Sequence, residues 1–194
     1  MSHTIYHTEA FVMSTRNSGE ADKTFDLFTK DFGVIHAKAT GIRKIESRLR
    51  FFVQDFKYID VSLVKGKTYW RLVSARPIHE LNSKKSLATP SRIRSLQLVA
   101  KLAPGEEPQR QLFEELVAAY SFTSRAHPSK QDMESIEALL ALKILYAFGY
   151  WAKSSEPNDL VQSPFNESTV LKVSSSKKNI IKELNKSLAA TQLM

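Results

Sequence analysis

The stretch "IDVSLVKGKTYW", residues 59–70, decides how the first half of the chain is read. Ile59, Val61 and Leu63 alternate with Asp60 and Ser62, the two-residue period of a strand with one buried face. Gly66 then predicts a hairpin turn, because glycine reaches positive φ without a Cβ clash. Tyr69 onward reads as the returning strand, with alternation sending either Tyr69 or Trp70 inward.

Upstream, Gly19, Gly33 and Gly41 separate further short segments rich in β-branched and aromatic residues. Strands are expected at 5–14, 23–29, 34–39, 52–64 and 69–75. Five short strands are too few for a sandwich but enough for a small closed barrel, which leaves no exposed edge. An OB-fold β-barrel is the economical solution.

From Arg76 the pattern changes. A polar connector with two prolines precedes apolar residues at helical spacing. Helices are expected from Ser91 to Leu102, from Pro108 onward, around Ile136 to Phe148 with Gly149 as a left-handed cap, and from Ser176. The third is apolar around most of its circumference and so belongs at the centre of a helical domain. The expected class is α+β: a five-stranded barrel in residues 1–80, followed by an all-α domain in 81–194 in which 152–168 is an irregular loop.

The chain carries 28 Lys and Arg against 20 Asp and Glu, a net charge of +8, which favours polyanionic partners. The excess is localised. Between Lys38 and Arg71 stand nine cations, Lys38, Arg43, Lys44, Arg48, Arg50, Lys57, Lys65, Lys67 and Arg71, against Glu46, Asp55 and Asp60. An OB barrel binds strands with a positive groove for phosphates and aromatic faces for bases. Candidate nucleic-acid phosphate contacts are therefore Lys38, Arg43, Lys44, Arg48, Arg50, Lys65, Lys67 and Arg71, with Phe51, Phe52 and Tyr69 as candidate stacking rings. A second run, Lys84, Lys85, Arg92, Arg94 and Lys101, is free of intervening acids. It extends the track across the interdomain joint or receives an acidic protein tail.

Several chemistries are excluded. The chain has no cysteine, hence no disulfide, no thiolate-bound zinc and no thiol nucleophile. Gly66-Lys67-Thr68 resembles the end of a phosphate-binding loop, but that motif needs glycine where Val61 stands and a helix where a strand follows. His3 and His7 lie four apart on a strand rather than a helix, and His36, His79 and His127 are isolated, so no metal site is expected. The acidic pairs Glu106/Glu107 and Glu114/Glu115 read as favourable charge in helix first turns. With no leader-like start and no long uncharged apolar run, a soluble cytoplasmic protein without catalytic machinery or cofactor is expected.

The ordered landmarks "TEAF" (8–11), "GEAD" (19–22), "LFTKDFGVI" (27–35), "GIRK" (41–44), "SRLR" (47–50) and "IDVSLVKG" (59–66) closely resemble the RecO family of bacterial recombination mediators. "KLAPGEEPQRQLFEELVAAY" (101–120) and "LLALKILYAFGY" (139–150) look like that family's helical core. The resemblance implies an N-terminal OB-fold and a helical C-terminal domain. It also implies binding of single- and double-stranded DNA near the nucleoid, annealing of complementary strands, and cooperation with RecR. Handling of DNA coated with single-stranded DNA-binding protein, and through it the loading of RecA, is implied as well. Many members carry a four-cysteine zinc site after the Gly-Tyr corresponding to Gly149 and Tyr150. Here that region is cysteine-free, which implies a zinc-free member. From the residues alone, an OB-type module for structured RNA and a protein adaptor without DNA binding remain alternatives.

Overall fold

A computed structural model of the chain describes residues 4–78, 81, 90–126, 128–151 and 158–190. Its contacts divide into two units, Met1–Thr89 with Ala103–Arg110, and Pro90–Leu102 with Gln111–Met194. The chain thus returns once to the first unit, and a cut at residue 80 leaves out the short strap 103–110.

The first unit is a closed barrel of five strands, β1 (Ile5–Ser18), β2 (Asp22–Thr29), β3 (Gly33–Ala39), β4 (Tyr58–Lys65) and β5 (Trp70–Pro77), in the order β1-β2-β3-β5-β4. This is the OB-fold. Its long first strand serves two neighbours, pairing with β4 from Ile5↔Val64 to Phe11↔Tyr58 and with β2 from Ala10↔Thr29 to Ser18↔Asp22. A register shift between Val12 and Ser14 lets it turn from one partner to the other. Closure comes from a short parallel pairing of β3 with β5, Ala37↔Trp70 and Lys38↔Arg71. Inside, Phe25, Leu27, Ile35, Ile59, Val61 and Leu63 are fully buried, each contributing about 1.5–3 kcal/mol. Ala10, Ala37, Ala39 and Ala75 supply the small volumes that so narrow a barrel requires.

The expected strand over 52–64 starts later, at Tyr58. Residues Leu49–Phe52 form a one-turn helix, α1, whose Leu49 and Phe52 pack on the barrel core. Between it and β4, Phe56 turns the chain at φ 63°. Its N–H donates to the Val12 carbonyl at 2.7 Å, and Val12 N–H donates to the Lys57 carbonyl at 2.9 Å. Past the end of the β4 ladder, β1 is therefore bonded to this turn on one edge, while Val12 stays in register with Leu27 of β2 on the other.

Gly66 is needed for a different reason than expected. Its φ is not positive; instead a Cβ there would stand 2.4 Å from the Tyr69 carbonyl oxygen. The hairpin closes too tightly for a side chain.

The second unit is helical: α2 (Pro90–Leu102), α3 (Arg110–Ala126, entering from the strap), α4 (Lys130–Ala147), α5 (Asn158–Gln162) and α6 (Glu167–Ala190). α4 is the buried centre, with Ile136, Leu139, Leu140, Leu142, Ile144 and Leu145 almost inaccessible, and it packs against α2, α5 and α6. Ser129 and Asp132 form a capping box at its start. At its end Gly149, φ 77°, donates to the Tyr146 carbonyl, and Tyr150 N–H donates to the Leu145 carbonyl, the paired bonds of a Schellman cap.

Two expectations are corrected here. The span 152–168 is not all loop: α5 occupies 158–162 with Leu160 and Val161 buried, while 152–157 lie outside the described residues. And α6 begins at Glu167, not Ser176. Asn166 caps it, its side-chain oxygen accepting from Thr169 N–H at 2.9 Å, and Val170 and Val173 bury the first turns. Among the described residues, no helix is long and apolar enough to cross a membrane.

Candidate nucleic-acid interface

The β3–β5 seam assembles a cationic surface. Ala37 and Trp70 pair with their side chains inward, so the next pair in register, Lys38 and Arg71, points out on one face. The hairpin after β4 adds Lys65, Lys67 and Tyr69, which with Val64 and Arg71 line a surface depression of about 300 Å³. Of the two rings that alternation left open, Trp70 is buried and Tyr69 is 50% exposed. Trp70 is fixed by edge contacts with Tyr6 at 5.5 Å and a tilted contact with Phe32 at 4.9 Å.

Lys38 is engaged rather than free. Its amine lies 2.9 Å from Asp22, whose hydrogen bond and charge raise the lysine's pKa, with a smaller contribution from the nearby Tyr69 phenol. Asp22 is held below the ordinary carboxylate range, first by the Gly41 N–H and then by Lys38. The same carboxylate ties in the loop after β3, where Lys44 bears on it electrostatically. Arg43 is exposed and donates to the Gly19 carbonyl at 3.0 Å. Lys38, Arg43, Lys44, Lys65, Lys67, Tyr69 and Arg71 thus belong to linked parts of the barrel.

The remaining barrel candidates, Arg48, Arg50, Phe51 and Phe52, lie on and just before α1, which packs against β5. Arg48 is exposed at the start of α1, and Arg50 lies half-buried with its guanidinium 4.6 Å from the centre of the Phe51 ring. Phe51 is 55% exposed, whereas Phe52 is half-buried against the core. One member of the second basic run is turned inward. Arg92 is 2% exposed, with its guanidinium 4.7 Å from the Tyr120 ring centre and its pKa lowered by burial; a charge placed by helical periodicity on the inner face of α2 cannot reach a phosphate. Arg94 is paired with Glu137, and Lys101 is exposed at the end of α2. Lys84 and Lys85 lie outside the described residues.

The acidic pairs also differ from expectation. Neither lies in a helix first turn. Glu106 sits in the strap, where one carboxylate oxygen accepts from Lys65 at 2.9 Å and the other from the Trp70 indole N–H at 2.9 Å. Glu115 lies inside the helical unit, beside Lys143. The run Pro104-Gly105-Glu106-Glu107-Pro108 was the available signal, since glycine and two prolines oppose helix there.

A closed OB barrel with a cationic, partly aromatic seam, joined to a helical unit, is the class that this fold and surface define. The family described as "Recombination protein O N terminal" matches residues 1–81. The chain is similar to the DNA repair protein RecO of Desulfitobacterium hafniense, at 30% identity over 151 residues, 75% of this chain and 52% of the relative. It is similar to that of Rubrobacter xylanophilus at 26% over 152 residues, 75% of this chain and 58% of the relative. With that of Alkaliphilus metalliredigens it shares 40% over 70 residues, 36% of this chain and 28% of the relative. Residues 1–81 carry the N-terminal domain of the RecO family, and the chain spans about half the length of the first two of these relatives.

Proposed function

We propose that this protein is a DNA-binding recombination mediator acting in DNA repair, without catalysis of its own. The observation that carries the reading is the β3–β5 seam, where Lys38, Lys65, Lys67 and Arg71 surround the exposed Tyr69 on a RecO-type barrel. Cations at this spacing suit the phosphates of single- or double-stranded DNA without base selectivity. Neutralising two complementary strands at once lowers their mutual repulsion, which is the physical basis for annealing. Its relatives carry the name DNA repair protein. Cooperation with RecR, and loading of RecA on DNA coated with single-stranded DNA-binding protein, extend this reading to the cytoplasmic nucleoid.

The test is the salt dependence of oligo-dT binding by the purified chain. If about five phosphates are neutralised, log affinity falls against log salt with a slope near −3.5, at roughly −0.7 per phosphate. The double variant Lys67→Ala/Arg71→Ala is expected to flatten the slope by about 1.4 with unchanged circular dichroism. A slope near zero for the parent chain rules the contact out. Preference for a matched RNA oligonucleotide turns the reading toward RNA, and retained RecR binding without a DNA shift leaves an adaptor.

Tyr69 gives a second handle. Tyr69→Ala is expected to weaken single-strand binding by about 1–3 kcal/mol, the weight of one stacked base, while Tyr69→Phe keeps it. Equal affinity for all three in a titration with oligo-dT removes Tyr69 from the interface.

A further inference from the structure

The strap that returns to the barrel carries an acid into the middle of its cationic seam. Glu106 is the residue placed there: Oε2 accepts from Lys65 Nζ, Oε1 from the Trp70 indole N–H, and Lys65 also lies 5.2 Å from the centre of the Trp70 ring. Lys65 lines the same depression as Lys67, Tyr69 and Arg71. A carboxylate held by two donors, one on each oxygen, has the shape and charge of the two non-bridging oxygens of a phosphodiester.

We propose that Glu106 occupies a phosphate position of the interface, so that its side chain, presented by the strap Ala103–Arg110, is a displaceable competitor which a nucleic-acid backbone must replace on Lys65 and Trp70. The inference rests on the DNA-binding reading above and deepens it.

Three observations support displacement over a purely architectural role. The Glu106 side chain is 47% exposed and the Lys65 side chain 57%, so the ion pair is open to solvent and an incoming anion can reach it. An ion pair so exposed is weakly held. The carboxyl is pushed below its ordinary range, chiefly by the Lys65 hydrogen bond, so it is ionised at neutral pH and repels an approaching phosphate until it leaves. The strap itself is anchored elsewhere, through Val34 N–H donating to the Gly105 carbonyl at 2.9 Å. Glu106 can therefore swing aside while the backbone on either side of it stays seated.

Glu106→Gln separates the two roles, because glutamine keeps an acceptor for the indole and loses the charge that competes with phosphate. The variant is expected to bind a labelled oligo-dT about threefold more tightly at low salt, the weight of an exposed ion pair, with a slope steeper by about 0.7. The gain should vanish when Lys65→Ala is already present. Glu107→Gln, a neutralisation one residue away on an exposed side chain, should give a smaller gain. If the parent chain binds DNA and Glu106→Gln matches it in affinity and slope, the competitor role is wrong and the DNA reading stands. A gain that survives Lys65→Ala, or that Glu107→Gln reproduces in full, also overturns it in favour of a general field effect. No shift by either protein at low salt ends both readings together.

Discussion

Lys143→Met is expected to destabilise the helical unit by about 3–5 kcal/mol, the usual consequence of removing one member of a buried ion pair. The Lys143 side chain, on α4, is 4% exposed. Its amine donates to the Val161 carbonyl at 3.2 Å and the Ser163 carbonyl at 2.5 Å, and lies 3.3 Å from the Glu115 carboxylate on α3. Three acceptors meet three donors. The same carboxylate oxygen accepts from Phe165 N–H at 2.8 Å, so the ion pair fastens the end of α5 and the segment after it to α3 and α4. Methionine conserves volume but leaves Glu115 charged and two carbonyls unpaired.

The pH dependence gives an independent signature. Burial lowers the Lys143 pKa from its ordinary value of 10.5, against the opposing effect of Glu115. Between the depressed folded value and 10.5 the unfolded chain binds the extra proton, so stability rises with pH in that window. The margin between the parent chain and Lys143→Met should therefore widen as pH climbs toward 10.5. The chain has two tryptophans, and Trp151 is buried in the helical unit. Urea unfolding followed by Trp151 fluorescence in a Trp70→Phe background reads this unit alone. A loss under about 1 kcal/mol, less than one ordinary buried hydrogen bond, would sink the account.

How much of this was legible beforehand depends on the range of the interactions. The barrel could be read because Ile59, Val61 and Leu63 advertise a period of two and glycines punctuate the strands. The start of β4 could not, since Phe51, Phe52, Val53 and Phe56 form a near-continuous apolar run, and a single helical turn has no period to detect. Three consecutive serines, Ser174 to Ser176, hid the first turns of α6 because serine is a middling helix former. The buried valines and the Asn166 cap decide the matter from outside that run.

For the candidate interface, total charge was visible and convergence was not. Lys38 and Arg71 become neighbours only through the parallel seam, and Glu106 reaches Lys65 and Trp70 only because the chain returns to the barrel after α2. Arg92 carries the general lesson. Its charge suggests surface, while its place on α2 turns it inward onto Tyr120, and periodicity is the more reliable guide when the two disagree.

Gly33→Ala is expected to cost the barrel about 2–4 kcal/mol, from strained φ and a lost strap contact together. Gly33 begins β3 at φ 69°, where an L side chain costs about 1–2 kcal/mol. A Cβ there would also stand 2.3 Å from the Glu107 carbonyl oxygen and 2.6 Å from its carbonyl carbon and nitrogen. These are backbone atoms, so no rotamer change relieves the clash; the strap must lift, and the Val34 N–H to Gly105 carbonyl bond goes with it. Gly19→Ala isolates the first contribution, because Gly19 has φ 67° and nothing within 4 Å of its would-be Cβ. The excess of Gly33→Ala over Gly19→Ala, in urea unfolding followed by Trp70 fluorescence with Trp151→Phe, therefore measures the seating of the strap against β3. Lifting the strap also withdraws Glu106 from Lys65, so below its unfolding transition Gly33→Ala should bind oligo-dT at least as tightly as the parent chain despite being less stable. Equal costs for the two glycines would mean that the strap does not rest on β3, and the competition argued for Glu106 would lose its scaffold.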